Sequence, residues 1–362
     1  MKERVNNMLK KSRIYVDIHA LQTVPPSCVN RDDTGSPKTA VYGGVTRARV
    51  SSQAWKRAMR LMFKDIFEKD QIALRTKRIV SLVADEIIAI DPSLDATKLA
   101  EEALKSAGLT IKDAQKGTDA LFFMSYAQAK ALAKLAADKC EDKKAYKEAL
   151  MSAPSVDMIL FGRMVASDPS LNYDAAAQVA HSISTHAVNN EYDYFTAVDD
   201  CAPEDNAGAG HLGTIEFNSA TLYRYATVNV CELAEHLGEV TPEAVRGFVE
   251  AFVLAMPTGK QNTFANRTLP DAVYVTIRRD QPVNLSGAFE RPVVSRNGYA
   301  EESKIRLAQY AKKMYESFVD QPVLALGVGV AMNGLAQVMP LSQLLDTMKN
   351  WVAEHLSDCE VS

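Results

Sequence analysis

The sequence predicts a mixed α/β or α+β fold with one helical insertion and one projecting arm. Three observations carry this. β-prone runs near both ends of the chain are interleaved with helix-patterned ones. Between about residues 70 and 150 the composition turns to Ala, Leu, Lys, Asp and Glu at helical spacing, with glycine only at 108 and 117. Residues 190–218 read as two β-rich stretches around the turn-rich Pro203-Glu-Asp-Asn-Ala-Gly-Ala-Gly210.

In chain order, Ile14 to Leu21 is a partly alternating, β-prone run and reads as a strand. Pro25 and Pro26 open a loop, a basic segment follows, and a helix runs to about Phe67. The section from 70 to 150 reads as an all-helical insertion with balanced charge. Val156 to Met164 is an apolar run that reads as a strand, and Ala175 to about Val188 reads as a helix. Thr221–Val230 and Asp271–Ile277 are strong strand signals. Between them Thr241-Pro242-Glu243 opens a helix with a cap and an early proline. A helix near Ser303–Phe318, an apolar stretch near Leu324–Val330 and a helix after Pro340 complete the chain.

The 362 residues carry a net charge of -4, room for one large or two medium domains. That balance excludes a nonspecific DNA coat, so any polyanion binding is local. Five cysteines at irregular spacing, with no CxxC, fit a reducing cytoplasm and neither a zinc ribbon nor a disulfide framework. No apolar segment is long enough to span a membrane. The charged start, Met1 to Arg13, lacks the apolar core of a secretory signal.

Local charge is concentrated early. Residues 11–60 hold nine Lys/Arg against three Asp/Glu. Arg47 and Arg49 alternate, so on a strand they share a face. Ser51 or Ser52 can cap a helix whose first turns carry Gln53, Lys56 and Arg57, an arrangement suited to phosphate. The arm at 190–218 is the opposite, with seven acidic residues and no Lys or Arg.

Other candidates are weaker. His181 and His186 are five apart and do not share a helix face as zinc ligands would. Asp32/Asp33 and Asp199/Asp200 sit in turn-like settings and read as loop caps. Cys28 reads as structural. Gly208 and Gly210 lie in an acidic setting, a poor phosphate cradle. No Walker motif, dinucleotide fingerprint or serine elbow occurs. Gly162-Arg163-Met164 ends the expected strand with a cation and a flexible apolar side chain, which reads equally as an edge of the core or as a wedge between bases. Thr258-Gly-Lys-Gln-Asn-Thr263 is a polar loop able to touch phosphates.

Ser27-Cys-Val-Asn-Arg-Asp-Asp33, Gly43-Gly44 through Arg60, Phe161-Gly-Arg-Met164, His181-Ser-Ile-Ser-Thr-His186, Tyr194-Phe-Thr-Ala-Val-Asp-Asp200 and His211-Leu-Gly-Thr-Ile-Glu-Phe217, in this order, resemble the CasC-type backbone subunit of the type I-E CRISPR surveillance complex, Cascade. The resemblance covers most of the chain and is weak in the helical insertion, the last 60 or so residues and the basic leader. It implies an α+β fold with an RRM-like (ferredoxin-like) palm, a helical fingers insertion and a β-hairpin thumb. The palm would take residues 1–66, 155–189 and 219–362, the fingers 67–154 and the thumb 190–218. By position, Asn30, Arg31, Arg47, Arg49, Ser51, Ser52, Gln53, Lys56, Arg57 and Lys260 would hold RNA backbone, with Arg163 and Met164 at a kink. Tyr194, Phe195, Thr196 and Leu212 would form the thumb, Tyr194 standing where the best-known members carry tryptophan. The implied partners are guide crRNA, the target DNA strand through that guide, further copies of the chain and other Cascade subunits, in the cytoplasm, with no cofactor, metal or membrane. A basic palm reads backbone while base pairing reads sequence.

The expectation is therefore a non-enzymatic, oligomerising RNA scaffold. The rival from another class is an RNA-processing endonuclease with a similar palm, which needs a general base near Ser51, Ser52 or His186; none is assembled in the sequence. A small-molecule α/β enzyme is the second rival and would bind no RNA.

Overall fold

The chain is described from a computed structural model over residues 13–113, 117–165, 168–197, 211–329 and 334–359. The leader, the Asp199/Asp200 pair and Gly208 and Gly210 lie outside these residues. β1 (Tyr15–Ser27) leads to a hairpin of β2 (Thr39–Tyr42) and β3 (Val45–Val50), then to α1 (Ser52–Ile66). β4 (Ala73–Thr76), α2 (Ile79–Ile90), α3 (Ala96–Ser106), β5 (Phe122–Ser125), α4 (Tyr126–Ala137) and α5 (Lys143–Met151) form the insertion. α6 (Val156–Phe161), β6 (Ala177–Val179) and β7 (Ser182–Ser184) precede the arm, made of β8 (Glu191–Ala197) and the start of β9 (His211–Asn229). α7 (Val230–Leu237), α8 (Thr241–Leu254), α9 (Gln261–Phe264), β10 (Ala272–Arg278), α10 (Ala300–Ser317), β11 (Leu324–Val328), β12 (Gln337–Val338) and α11 (Leu341–Glu354) follow.

One sheet organises the chain, in the order β12-β11-β10-β1-β9-β7-β3-β2, with β6 and β8 also paired to β9. All pairs are antiparallel except β11–β12. β1 is central, and both its faces are covered, which is why it reads as a near-continuous apolar run. Val16, Ile18 and Ala20 join Leu222, Ala226 and Val228 of β9 and Val273, Val275 and Ile277 of β10 beneath α1, α8 and α11. On the other face Leu21, Tyr223, Tyr225 and Tyr274 meet Leu285 and Phe289 and the Leu307, Ala311 and Tyr315 stripe of α10. The insertion has a second core, from Ile79 to Leu171.

Five expectations are corrected. Val156–Phe161 is the helix α6 and not a strand. A six-residue apolar run has no diagnostic period, and here Val156, Met158, Ile159 and Leu160 are all buried. Ala175–Val188 holds the strands β6 and β7 and not a helix. The serines of β7 point inward, where Ser182 Oγ accepts from Trp55 Nε1 at 2.9 Å and Ser184 Oγ accepts from the Ala48 amide at 3.1 Å. The hydrophobic pattern is therefore inverted at this strand. The insertion is not all helical, because β4 and β5 pair as a ribbon from Ala73–Ser125 to Thr76–Phe122. Cys231 and Cys359 form a disulfide, against the expectation of a fully reduced set. It joins α7 to the turn after α11 across 128 residues, a separation with no sequence signature. Thr241 is also no cap: it is the first residue of α8, with Pro242 next.

The turn of the β2–β3 hairpin shows why glycine stands there. Gly43 and Gly44 both have positive φ, +59° and +78°, as a two-residue hairpin turn demands. A Cβ on Gly43 would meet the Glu290 carbonyl.

Two opposed titrations lie on the inner face of β1. Burial pushes the Asp17 carboxyl up to about 6, against hydrogen bonds from the Val283 amide and the Tyr225 hydroxyl. Burial, helped by Arg278, pushes His19 down to about 3. Between pH 6 and 4 the folded chain takes a proton at Asp17, which strengthens folding, while the unfolded chain takes one at His19, which weakens it. Each is worth about 1.4 kcal/mol per pH unit, so the two slopes cancel. His19→Phe should therefore gain about 2–3 kcal/mol relative to wild type on going from pH 6 to 4. Asp17→Asn should lose a similar amount over that range. Urea unfolding across the range reads this, and parallel curves for the three proteins would contradict it.

Candidate nucleic-acid interface

α1 is amphipathic. Trp55, Ala58, Met59 and Phe63 are buried, while Gln53 and Arg57 are exposed and Lys56 and Arg60 half-buried. Its N-cap is Ser51, whose hydroxyl accepts from the Ala54 amide at 3.3 Å. The Ser51 amide in turn donates to Asn30 Oδ1 at 2.9 Å, fixing the 28–31 segment to the helix start. Ser51 is buried and already engaged, so it positions the helix and presents no hydroxyl; Ser52 beside it is half-buried.

Two clefts flank the outer face of α1. The first, about 530 Å³, lies between the 29–35 loop, the Ala54–Leu61 side of α1 and residues 256–259. The second, about 520 Å³, is lined by Gln53, Lys56, Arg57, Arg60, Arg75, Arg163 and Met164, with Asp174 as its one acidic residue. Arg57 lines both. Burial lowers the Lys56 ammonium pKa, and its Nζ lies 5.7 Å from the Phe161 ring centroid. Arg60 stacks over Phe123 at 4.6 Å and faces buried Asp157 at 3.5 Å. The helix face and the second cleft form a cationic surface that can accept a polyanion, while the first cleft sets Arg31 and Arg57 against Asp32 and Asp33.

The structure brings together Asn30, Arg31, Gln53, Lys56, Arg57 and Met164, the last 85% exposed. Lys260 lies next to the first cleft, in a left-handed conformation at φ +49°. Two expected RNA ligands are corrected. Arg47 is fully buried, donating to the carbonyls of Tyr42, Ser184, Phe289 and Glu290. It welds β3 to the 285–293 segment and has no solvent-facing donor to offer RNA. Arg163 is 3% exposed although it borders the second cleft. Its guanidinium donates to Leu171, Phe123 and Leu150 carbonyls and to Gln128 Oε1. It holds the insertion on the sheet and sets the direction of Met164. Arg49 is half-buried at the far edge of β3, donating to the Thr39 carbonyl, with a second guanidinium nitrogen 3.2 Å from His181 Nδ1. It lines neither cleft but shares a small pocket with Val29 and Asn30 of the first. Sequence reasoning missed Arg60 and Arg75 as site residues. Arg60 was findable, one helical turn past Lys56 and Arg57. Arg75 was not, because only the β4–β5 ribbon carries it to the cleft.

The arm is a β8–β9 hairpin in which Tyr194 pairs with Thr214, Phe195 with Gly213 and Thr196 with Leu212. Directly paired residues share a face, so Tyr192, Tyr194, Thr196 and Leu212 lie together and Phe195 lies on the opposite side. Tyr192, Tyr194 and Leu212 are 68%, 64% and 56% exposed. Phe195 covers Gly213, where a Cβ would come within 2.4 Å of its ring. At the root, Phe217 meets Phe264 at 5.8 Å.

Fold and site together describe a mixed α+β chain with a cation-lined helix between two clefts and an acidic aromatic arm beside it. Residues 16–353 match the profile of the CT1975-like protein family, and the chain belongs to that family. No curated protein matches the sequence. The chain is 35% identical to a solved chain described as "CRISPR RNA-guided surveillance complex, pre-nicking", with a TM-score of 0.77 over 93% of this chain and 99% of that one. A second, described as "CRISPR RNA-guided surveillance complex", is 31% identical, with a TM-score of 0.63 over 93% and 99%. Among the described residues no helix is long and apolar enough to cross a membrane.

The first cleft depends on one close approach. A Cβ on Gly259 would stand 2.1 Å from the Val29 carbonyl oxygen. Gly259→Ala should push the 256–260 segment off the 28–31 segment and cost about 1–3 kcal/mol. Thermal unfolding reads the cost; an unchanged melting temperature would show that the approach is not needed.

Proposed function

We propose that this chain is a guide-RNA-holding backbone subunit of a CRISPR surveillance complex, of the CasC kind found in type I-E Cascade. In this reading the large sheet with α1 is an RRM-like palm, 67–154 are the fingers and 190–218 the thumb. Copies of the chain line up on one crRNA in the cytoplasm and present it for pairing with target DNA. The observation that carries the reading is the outer face of α1, with Lys56, Arg57 and Arg60 between two clefts. The likeness to chains described as parts of RNA-guided surveillance complexes supports it. The role is non-enzymatic. His186, the nearest candidate base, is buried and stacked on Tyr299 at 3.6 Å. Its Nδ1 lies 2.9 Å from the Ala187 carbonyl and its Nε2 accepts from the Thr221 amide at 3.1 Å, so neither nitrogen is available to a substrate.

Lys56→Ala with Arg57→Ala should weaken RNA binding regardless of sequence. Every cation–phosphate pairing removed should shallow the salt slope by about 0.7 for single strands. Neutralising the insertion's Lys139, Lys143 and Lys144 should cost less. An unchanged slope in the palm variant, or a larger loss in the insertion variant, refutes the assignment. Cleavage of repeat RNA by the purified protein without metal would favour the endonuclease.

The arm's exposed face gives a second test. Tyr194→Ala with Leu212→Ala should reduce the number of copies bound per guide while leaving far-ultraviolet circular dichroism of the free chain unchanged. Base–aromatic stacking is worth about 1–3 kcal/mol, so the loss should compound along the guide. Full stoichiometry in native mass measurement would remove the arm from the reading.

A further inference from the structure

Two cysteines far apart in the chain meet beyond the end of α11. Cys231 is the second residue of α7 and is buried. Cys359 ends the turn that follows α11 and is half-buried, packed against the main core. Their Cα atoms stand 5.0 Å apart, within the span a disulfide bridges without moving the backbone, and the two are bonded. The same turn is tied to the residue after β10 by Asp358, which pairs with Arg279 at 2.5 Å. Both of those side chains are more than a third exposed, so the ion pair adds little. α11 itself is held further back, by Leu344, Leu345, Met348 and Val352. The bond is therefore the strongest tie between the turn and α7. The other described cysteines stand outside this chemistry. Cys28 is buried with its Sγ 3.8 Å from the Gly35 carbonyl oxygen, and burial pushes its thiol up, which leaves it unreactive. Cys140 lies half-buried in the insertion, and neither is in a disulfide.

A reducing cytoplasm keeps ordinary thiols reduced, and the disulfides found there are mostly transient and redox-sensing. We infer that Cys231 and Cys359 are a reversible redox site, two thiols in a reducing cytoplasm and one disulfide when small disulfides of the glutathione kind accumulate. The structure describes the oxidised form. Half-buried Cys359 is the reachable sulfur and reacts first. Its thiolate attacks one sulfur of the small disulfide, which forms a mixed disulfide and releases one small thiol. The Cys231 thiolate then attacks the Cys359 sulfur, closing the bond and releasing the second small thiol. Two electrons pass from the pair to the small disulfide, and the two protein thiol protons end on the released thiols. Reduction runs the same steps backwards, again through Cys359. The closed bond spans 128 residues and so restricts the unfolded chain across α8, β10, α10, β11 and α11. This rests on the cytoplasmic placement in the proposed function and on none of its RNA contacts.

The test equilibrates the full folded chain in two glutathione buffers, one mostly reduced and one mostly oxidised, and then exchanges them. Free thiols are trapped with iodoacetamide and located by peptide mass mapping. Cys231 and Cys359 should both be alkylated in the reduced buffer, linked to each other in the oxidised one, and alkylated again on return. The oxidised form should melt about 3–6 °C above the reduced form. Cys359→Ser should melt at the same temperature in both buffers. A bond that survives the reduced buffer in the folded chain would be a permanent staple and would overturn the inference. A bond that never forms in the oxidised buffer, or Cys231 linked instead to Cys28 or Cys140, would overturn it too. So would a melting shift that persists in Cys359→Ser. Mass mapping of the wild type decides the pairing even where the variant does not fold. Single-stranded RNA binding is read on the same samples. Its absence in both buffers would end the guide-RNA reading, while the exchange result stands by itself.

Discussion

The cations of α1 are only as well placed as its buried face, and that face is held by one buried guanidinium. Arg224, on β9 beneath the helix, stacks on Trp55 at 3.7 Å and on Phe252 of α8 at 4.5 Å. It donates to Gln22 Oε1 on β1 at 2.6 Å and to the Phe252 carbonyl. Burial lowers it to about 9, so it is still charged at neutral pH. One side chain thus ties two strands and two helices. Trp55 is fixed at its other end by the bond to Ser182. A desolvated cation over indole is worth about 2 kcal/mol, but removing its partner leaves a buried charge at greater cost. The arrangement therefore constrains geometry more than it adds stability. Small rotations of α1 would strand Arg224, and so the outward direction of Gln53, Lys56 and Arg57 is fixed from below.

The insertion is attached by the same device in mirror image. Asp157, 2% exposed at the start of α6, accepts from the Ser155 hydroxyl at 2.8 Å and the Ala73 amide at 2.9 Å and faces Arg60. Arg163, at the other end of α6, is lowered to about 10 by burial and holds carbonyls of both the insertion and its return segment. Short apolar helices are weakly anchored by packing alone, and α6 is bracketed by a buried carboxyl, its pKa raised by burial, and a buried guanidinium, each held by several hydrogen bonds. Between them Gly162, at φ +78°, turns the chain so that Arg163 goes inward and Met164 outward. The exposed methionine in the second cleft is thus a consequence of how the insertion is fastened.

Much of this was legible in the sequence where pattern and environment agree. β1 and β10 stand out as β-prone apolar runs and α1, α8 and α10 as helix-patterned ones, and the clustering of cations up to residue 60 pointed to α1. The arm showed itself by composition. What failed did so for identifiable reasons. α6 is too short and too fully enclosed to show a helical period. β7 faces the core with serines, which satisfy Trp55 and the Ala48 amide, and polar residues inside a strand invert the usual sign. Arg47 and Arg163 read as ligand-facing because sequence records charge and not depth. Both lie beside the glycine-marked turns that made those segments conspicuous, and both are consumed by carbonyls. Arg75 entered the cleft through a ribbon closed across the insertion, a pairing no local pattern records.

Charge and hydrophobicity are divided between the two exposed surfaces, and the division has a consequence. The helix face carries cations with almost no acidic partner in its second cleft, so its attraction for a polyanion falls as salt rises. The arm carries no cation at all, and its apolar face of Tyr192, Tyr194 and Leu212 gains from burial whatever the salt. Phe195 is turned the other way and covers Gly213, so its ring belongs to the hairpin's own construction. A strand directly paired with glycine would otherwise be loosely held, and an aromatic across from it restores the missing packing. The hairpin can then project with every residue of β8 exposed while its root is held by Phe217 on Phe264. The surface that is attracted to phosphate and the surface that packs are thereby built on separate elements, with the long strand β9 carrying both one side of the arm and Arg224 beneath the helix.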